Sequence, residues 1–198
     1  MNPFNVGFFT ENELINFGFK SLGKNVCIAK NCTILGLENI SIGSNVRIDG
    51  YTTIIASDNG FLNLGSFIHI GGYSLLSAGA GITMNDFSGI SQGVKIYSKT
   101  DDYTGKYLTN PTVSPEYTGV TSGEVILGRH SIIGSGTVIL PKLTIGEGTS
   151  VGALSLVTKS LSEWGVYFGS PVKKIKERNK ELLKLEKDFL IEISKRKP

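Results

Sequence analysis

Isoleucine, leucine or valine returns every sixth residue over most of this chain, usually with glycine or another small residue directly behind it. The clearest run places Leu127, Ile133, Ile139, Ile145, Val151 and Val157 in register, with Gly128, Gly134, Gly146 and Gly152 following four of them. An earlier run takes in Leu64, Ile70 and Leu76, slips by two residues between Ile82 and Met84, and continues through Ile90 and Ile96. The first run takes in Ile28, Ile34 and Ile40, slips to Ile42, and continues through Ile48 and Ile54. A fixed short period marks a stacked repeat. A period of six does not fit the α-helical turn, and the glycines and β-branched residues in every segment disfavour helix further. A chain that turns a corner every six residues, with one aliphatic side chain per segment facing inward, stacks short parallel strands into an all-β solenoid. Three segments make one triangular coil, and the small residue beside each ladder position is expected to let the backbone bend.

At 198 residues the chain is long enough for one domain with a continuous core. Its 25 glycines are punctuated throughout by aliphatic residues, which reads as packed repeat and not as linker. A net charge of only +3, with much of the excess after Gly169, argues against a nucleic-acid groove along the body and suits a local anion site. No apolar run approaches membrane-spanning length, and Met1 to Phe9 lacks a basic region followed by a long apolar one, so a cytoplasmic protein without a transmembrane segment is expected. Cys27 and Cys32 stand without histidines nearby, too few ligands for zinc, so no metal is expected and both read as buried free thiols.

Three segments follow. Residues 1–25 form an amino-terminal cap, with a short helix announced by the capping-box pattern of Thr10 and Glu13. Residues 26–160 form the solenoid, with small irregularities near Leu37 and Ser57 to Gly60. It is interrupted at 98–124 by a polar loop that holds Pro111, Pro115 and three tyrosines. A long loop in an otherwise regular repeat is usually functional. Residues 161–198 begin extended and are expected to turn helical after Pro171, with Leu182, Leu185, Phe189 and Ile193 on one face.

The stretch IIGSGTVILPKLTIGEGTSVGALSLVTKSL, followed by YFGSPVKKIKER, resembles the acetyl-CoA-binding end of sugar acetyltransferases of the hexapeptide-repeat superfamily. The resemblance covers about Ile28 to Arg178 and implies a left-handed parallel β-helix, a homotrimer and an active site at each subunit interface. It also implies that Ser135, Ala153 and Thr158 lie along the pantetheine arm of acetyl-CoA. Lys159, Lys173 and Lys176, with Arg178 as a further candidate, would then meet its phosphates. A charge run more often only solvates a surface. Here the lysines follow Gly-Ser-Pro at the family's spacing, although galactoside acetyltransferases carry arginine at two of these places, so bidentate geometry would be lost.

Acyl transfer from a thioester needs an uncharged nucleophile, a base and a donor for the developing oxyanion. Where galactoside acetyltransferases place a loop histidine as base, this chain has Asp101, followed by Asp102 and Tyr103. An unperturbed aspartate is a weak base at neutral pH. Of the two histidines, His130 reads as an outward surface residue. His69, in SFIHIGGY, also points outward, and imidazole is the side-chain type suited to proton transfer near pH 7. The expectation is that His69 of one subunit and Asp101 or Asp102 of its neighbour flank the acceptor. An amine, once deprotonated, needs less base assistance than a hydroxyl, which fits the missing loop histidine. The segments HIGGY and DDYTG…LTNP are also similar to acetyltransferases of bacterial surface-polysaccharide pathways. The resemblance therefore implies N-acetylation of a nucleotide-linked amino sugar, such as a TDP-4-amino-4,6-dideoxyhexose. Tyr73, Tyr97 and Tyr103 are candidates to stack on its rings. The rival readings are O-acetylation of a glycan or glycoside hydroxyl and a non-catalytic scaffold that binds no CoA.

Overall fold

Each inward aliphatic residue falls on a strand of two or three residues, too short to stand alone, whose hydrogen-bond partners lie one coil away. The computed structural model describes residues 5–195; residues 1–4 and 196–198, which belong to the expected first and last segments, lie outside the described residues. Strands assemble into three parallel sheets that close a triangular prism of about seven turns, a left-handed parallel β-helix with a C-terminal helix. Ile126 pairs with Thr144 in the first sheet, Ile132 with Ser150 in the second and Val138 with Leu156 in the third. Each pairing advances by three hexads. The ladders line the interior: Ile70, Leu76, Leu127, Ile133, Ile139, Ile145 and Val157 are fully buried. Each such side chain contributes about 1.5–3 kcal/mol.

The two-residue slips have a simple origin. Strands of the first sheet carry two inward residues each, Ile40 and Ile42, Leu62 and Leu64, Ile82 and Met84, Val125 and Leu127. The corner that leads into this sheet also holds the irregular pieces: the 3-10 turn Leu37–Asn39, residues Ser57 to Gly60, and the loop 98–124.

The small residues behind the ladders serve a purpose other than the expected one. The left-handed corners are formed mostly by other residue types, including Asn25, Asn45, Phe67, Phe87 and His130 at one edge and Tyr51, Tyr73 and Leu154 at another. Gly134 is required instead by the approach of the next coil, because a Cβ there would stand 2.4 Å from the Ala153 nitrogen. At Gly128 it would stand 2.6 Å from the Glu147 nitrogen.

Helix α1, Glu11–Ile15, covers the amino-terminal end with Leu14 buried, and its capping box is formed as the sequence predicts. At the other end the expectation of helix directly after Pro171 is overturned. Gly165–Phe168 pairs parallel to the last coil, and Lys173–Glu177 returns as an antiparallel strand against it. Helix α2 begins only at Leu182 and runs to Lys195. Cys27 also departs from expectation, since it alternates outward between buried Val26 and Ile28 and is exposed. Cys32 is half-buried, and burial pushes its thiol pKa up.

Candidate active site

His69 sits at the centre of the strand Ile68–Ile70, between two buried neighbours, and therefore points out of the second sheet as expected. Its register partners are Arg47 on one side and Gly89 on the other. The absence of a side chain at Gly89 leaves room for a cavity of about 300 Å³ beside His69, which Ser88, Ser91 and His130 also line and Leu182 of α2 overhangs. His69 Nε2 lies 2.8 Å from Asp49 Oδ2, while the other oxygen of Asp49 accepts a hydrogen bond from Arg47 Nε at 2.7 Å. Burial works against the Asp49 carboxylate, but the hydrogen bonds and charges of His69 and Arg47 outweigh it and hold its pKa below the ordinary value.

The loop leaves the prism through a short antiparallel stem, Lys99–Thr100 against Thr121–Ser122, so its base is fixed although its tip is exposed. Asp101 follows the stem directly. Its Oδ2 accepts from the Asn110 nitrogen at 3.3 Å, and the residue lines a cleft of about 540 Å³ with Ser77, Asn110, Val113 and Thr118. Asp102 is occupied within the loop, where its carboxylate accepts from Thr104 Oγ1 at 2.8 Å and from the Lys106 nitrogen at 3.1 Å. The Thr104 hydroxyl is the main cause that lowers its pKa, which makes Asp102 a weaker base than a free aspartate. His69 and Asp101 thus line separate cavities of one chain.

The aromatic candidates are dispersed. Tyr73 stacks on Tyr51 at a left-handed corner, with centroids 4.8 Å apart and planes 13° from parallel, and is exposed. Tyr97 is half-buried at the end of its strand, and Tyr103 is 90% exposed on the loop. The residues expected at a CoA arm follow one edge of the last coils. Ser135 and Leu154 are joined by a backbone hydrogen bond of 2.8 Å, Ala153 precedes Leu154, and Thr158 with Lys159 leaves the adjoining strand, all of them exposed. Lys173 and Lys176 lie on the antiparallel end strand, exposed and without an ion pair among the described residues.

One sequence expectation fails here. His130 is not an outward surface residue but is only 8% exposed, stacked on Phe87 and 3.0 Å from Glu186 of α2. Burial is the largest cause that lowers its pKa. Arg129 pairs with the same carboxylate. Arg178 is half-buried, and its Nη1 donates to the carbonyls of His130 at 2.7 Å and Gly148 at 2.9 Å. Among the described residues no group of three or more His, Cys, Asp or Glu is placed to hold a metal ion, and no helix is long and apolar enough to cross a membrane.

The sequence and the fold are similar to those of several acyltransferases. The chain is 41% identical over 184 residues to a dTDP-4-amino-4,6-dideoxy-D-glucose acyltransferase of Escherichia coli, covering 93% of this chain and 95% of that one. It belongs to that acyltransferase family. AntD, an N-acyltransferase from Bacillus cereus solved with dTDP and 3-hydroxybutyryl-CoA, superposes with a TM-score of 0.91 at 41% identity, over 96% of this chain and 99% of AntD. A variant of AntD solved with dTDP-4-amino-4,6-dideoxyglucose and CoA gives 0.90 at 42% identity, over 95% and 98% of the two chains. WbbJ of Escherichia coli K12, named for O-acetyl transfer in lipopolysaccharide biosynthesis, is 29% identical over 76% of this chain and 74% of its own. No protein-family profile matches the chain.

Proposed function

We propose that this enzyme transfers an acyl group, acetyl in the first instance, from CoA to the amino group of a dTDP-linked 4-amino-4,6-dideoxyhexose destined for a surface polysaccharide. The observation that carries this reading is the near full-length likeness to the Escherichia coli acyltransferase and to AntD, solved with both the amino sugar and CoA. A second observation supports particular residues. The AntD structures include variants of one serine and of an aspartate ten positions later. In this chain a serine followed at that distance by an aspartate occurs once, as Ser91 and Asp101. Ser91 had no signal of its own in the sequence, but it shares the cavity of His69.

In the proposed reaction the unprotonated amine attacks the thioester carbonyl. The C–N bond forms, the C–S bond breaks, and the amine proton passes to the departing sulfur, giving amide and free CoA thiol. His69 accepts and returns that proton. Asp101 orients the amine as a carboxylate, while Asp102 shapes the loop. Ser135, Ala153 and Thr158 line the pantetheine arm, and Lys159, Lys173 and Lys176 meet the phosphates as separate point charges. Tyr73, Tyr97 and Tyr103 are the aromatic surfaces offered to the nucleotide sugar. The active unit in this reading is a cytoplasmic homotrimer; that His69 and Asp101 line separate cavities of one chain supports a site completed by a second copy.

The test is incubation of dTDP-4-amino-4,6-dideoxyglucose with acetyl-CoA or 3-hydroxybutyryl-CoA, following thiol release and product mass. The expected result is one acyl group gained on the amino sugar. Turnover on hydroxyl sugars alone would replace this reading with O-acylation, and light scattering at any mass other than three chains would remove the trimer.

A further inference from the structure

We propose that Asp49, braced by Arg47, is a positioning residue for His69: it fixes the imidazole with Nε2 protonated and leaves Nδ1 as the atom that accepts a proton. The inference rests on the proposed role of His69. Its physical basis is the outward row Cys27, Arg47, His69 and Gly89 on the second sheet, each in register with the next. Arg47 and His69 are direct cross-strand neighbours, and a protonated His69 would face a permanent cation there. Asp49, one residue beyond the strand Val46–Ile48, places one carboxylate oxygen on each, at 2.7 Å from Arg47 Nε and 2.8 Å from His69 Nε2. The carboxylate is held from behind as well, since the Asp49 nitrogen donates to the Ile70 carbonyl at 2.9 Å in the strand that carries His69.

An ionised carboxylate accepts hydrogen bonds and donates none, so the nitrogen that faces it must bear the proton, and a neutral ring then has its lone pair on the other nitrogen. A base oriented by a third group is the arrangement that general-base catalysis favours, with the carboxylate holding one tautomer and stabilising the imidazolium as it forms. His69 is half exposed and lines the cavity that Ser91 shares, so the unengaged nitrogen has room for an incoming proton. The charged and titratable groups around it are Arg47, Asp49 and Cys27 on the sheet, with His130 and Arg178 on the far side of the cavity.

The first readout needs no substitution: nitrogen-correlated NMR of the whole protein at neutral pH should show His69 as the Nε2–H tautomer, and the Nδ1–H tautomer would overturn the inference. The second compares Asp49→Asn, His69→Asn and the double variant, each checked for folding by thermal melting. Asp49→Asn should lower kcat about tenfold or more with KM within about twofold. The double variant should be no slower than His69→Asn alone. An unchanged Asp49→Asn beside an inactive His69→Asn, or losses that add in the double variant, would overturn the role of Asp49. Full turnover by His69→Asn would instead overturn the role of His69 itself.

Discussion

The carboxy-terminal coils and the central coils are built on the same ladder but differ in what they tolerate. Ile126 to Thr144 is a bare advance of three hexads, whereas Ile40 to Leu62 needs 22 residues and Ile82 to Val125 needs 43. All the excess leaves through the corner that precedes the first sheet, and the buried ladder on either side is undisturbed. Where coils are bare, the constraint is backbone against backbone, as at Gly134. Where they are interrupted, the constraint falls on a short stem, and the chain beyond it is free to carry Asp101. Regularity holds the body together, and departure from regularity at one corner makes room for the loop that carries Asp101.

The sharpest way to break this contrast is Gly134→Val. With a Cβ driven to 2.4 Å from the Ala153 nitrogen, neither backbone can yield, and a loss above about 4 kcal/mol with collapse of soluble yield is expected in a denaturant melt. Asp101→Ala, at the interrupted corner, should do the reverse: turnover falls about a hundredfold while stability stays within about 0.5 kcal/mol of the parent. A matching loss of stability would show that the loop is part of the body after all. The smallest effect concerns His130, which ties the bare coils to α2. Its pKa is lowered on folding, first by burial and then by the charge of Arg129. The unfolded chain therefore takes up the proton first as pH falls. Stability should be full above the ordinary histidine value of about 6.5 and should decline below it. Urea midpoints at about pH 7.5 and about pH 5.5 should differ less in His130→Gln than in the parent.

Much of the body was legible because inward and outward positions follow from spacing alone. The ladders, the slips at Ile42 and Met84, the irregular corner at Ser57 to Gly60 and the loop 98–124 were all readable in this way. Spacing also placed His69 outward, but it could not tell which outward side chains a distant element would cover. His69 stands at mid-strand and His130 at a corner, and the stacking of Phe87 together with the arrival of α2 and Glu186 covers His130 while His69 stays open. The bonds of Arg178 were unreadable for the same reason, since the carbonyls it serves belong to turns far back in the chain. Lys173 to Glu177 alternates too weakly to announce a strand and becomes one through pairing with Gly165–Phe168. Asp49 carried no signal because His69, 20 residues further on, becomes its neighbour only once the coils are in register.

That antiparallel end strand has a consequence for how long such a molecule can be. A parallel β-helix ends, in principle, in three rows of unpaired backbone groups that would accept another coil from any neighbour of the same kind. Lys173–Glu177 runs against the grain of the second sheet, is exposed along its whole length and carries three lysines, so the surface it presents neither matches an incoming coil nor attracts one. A copy stripped of that strand would leave Gly165–Phe168 as the open edge of the second sheet.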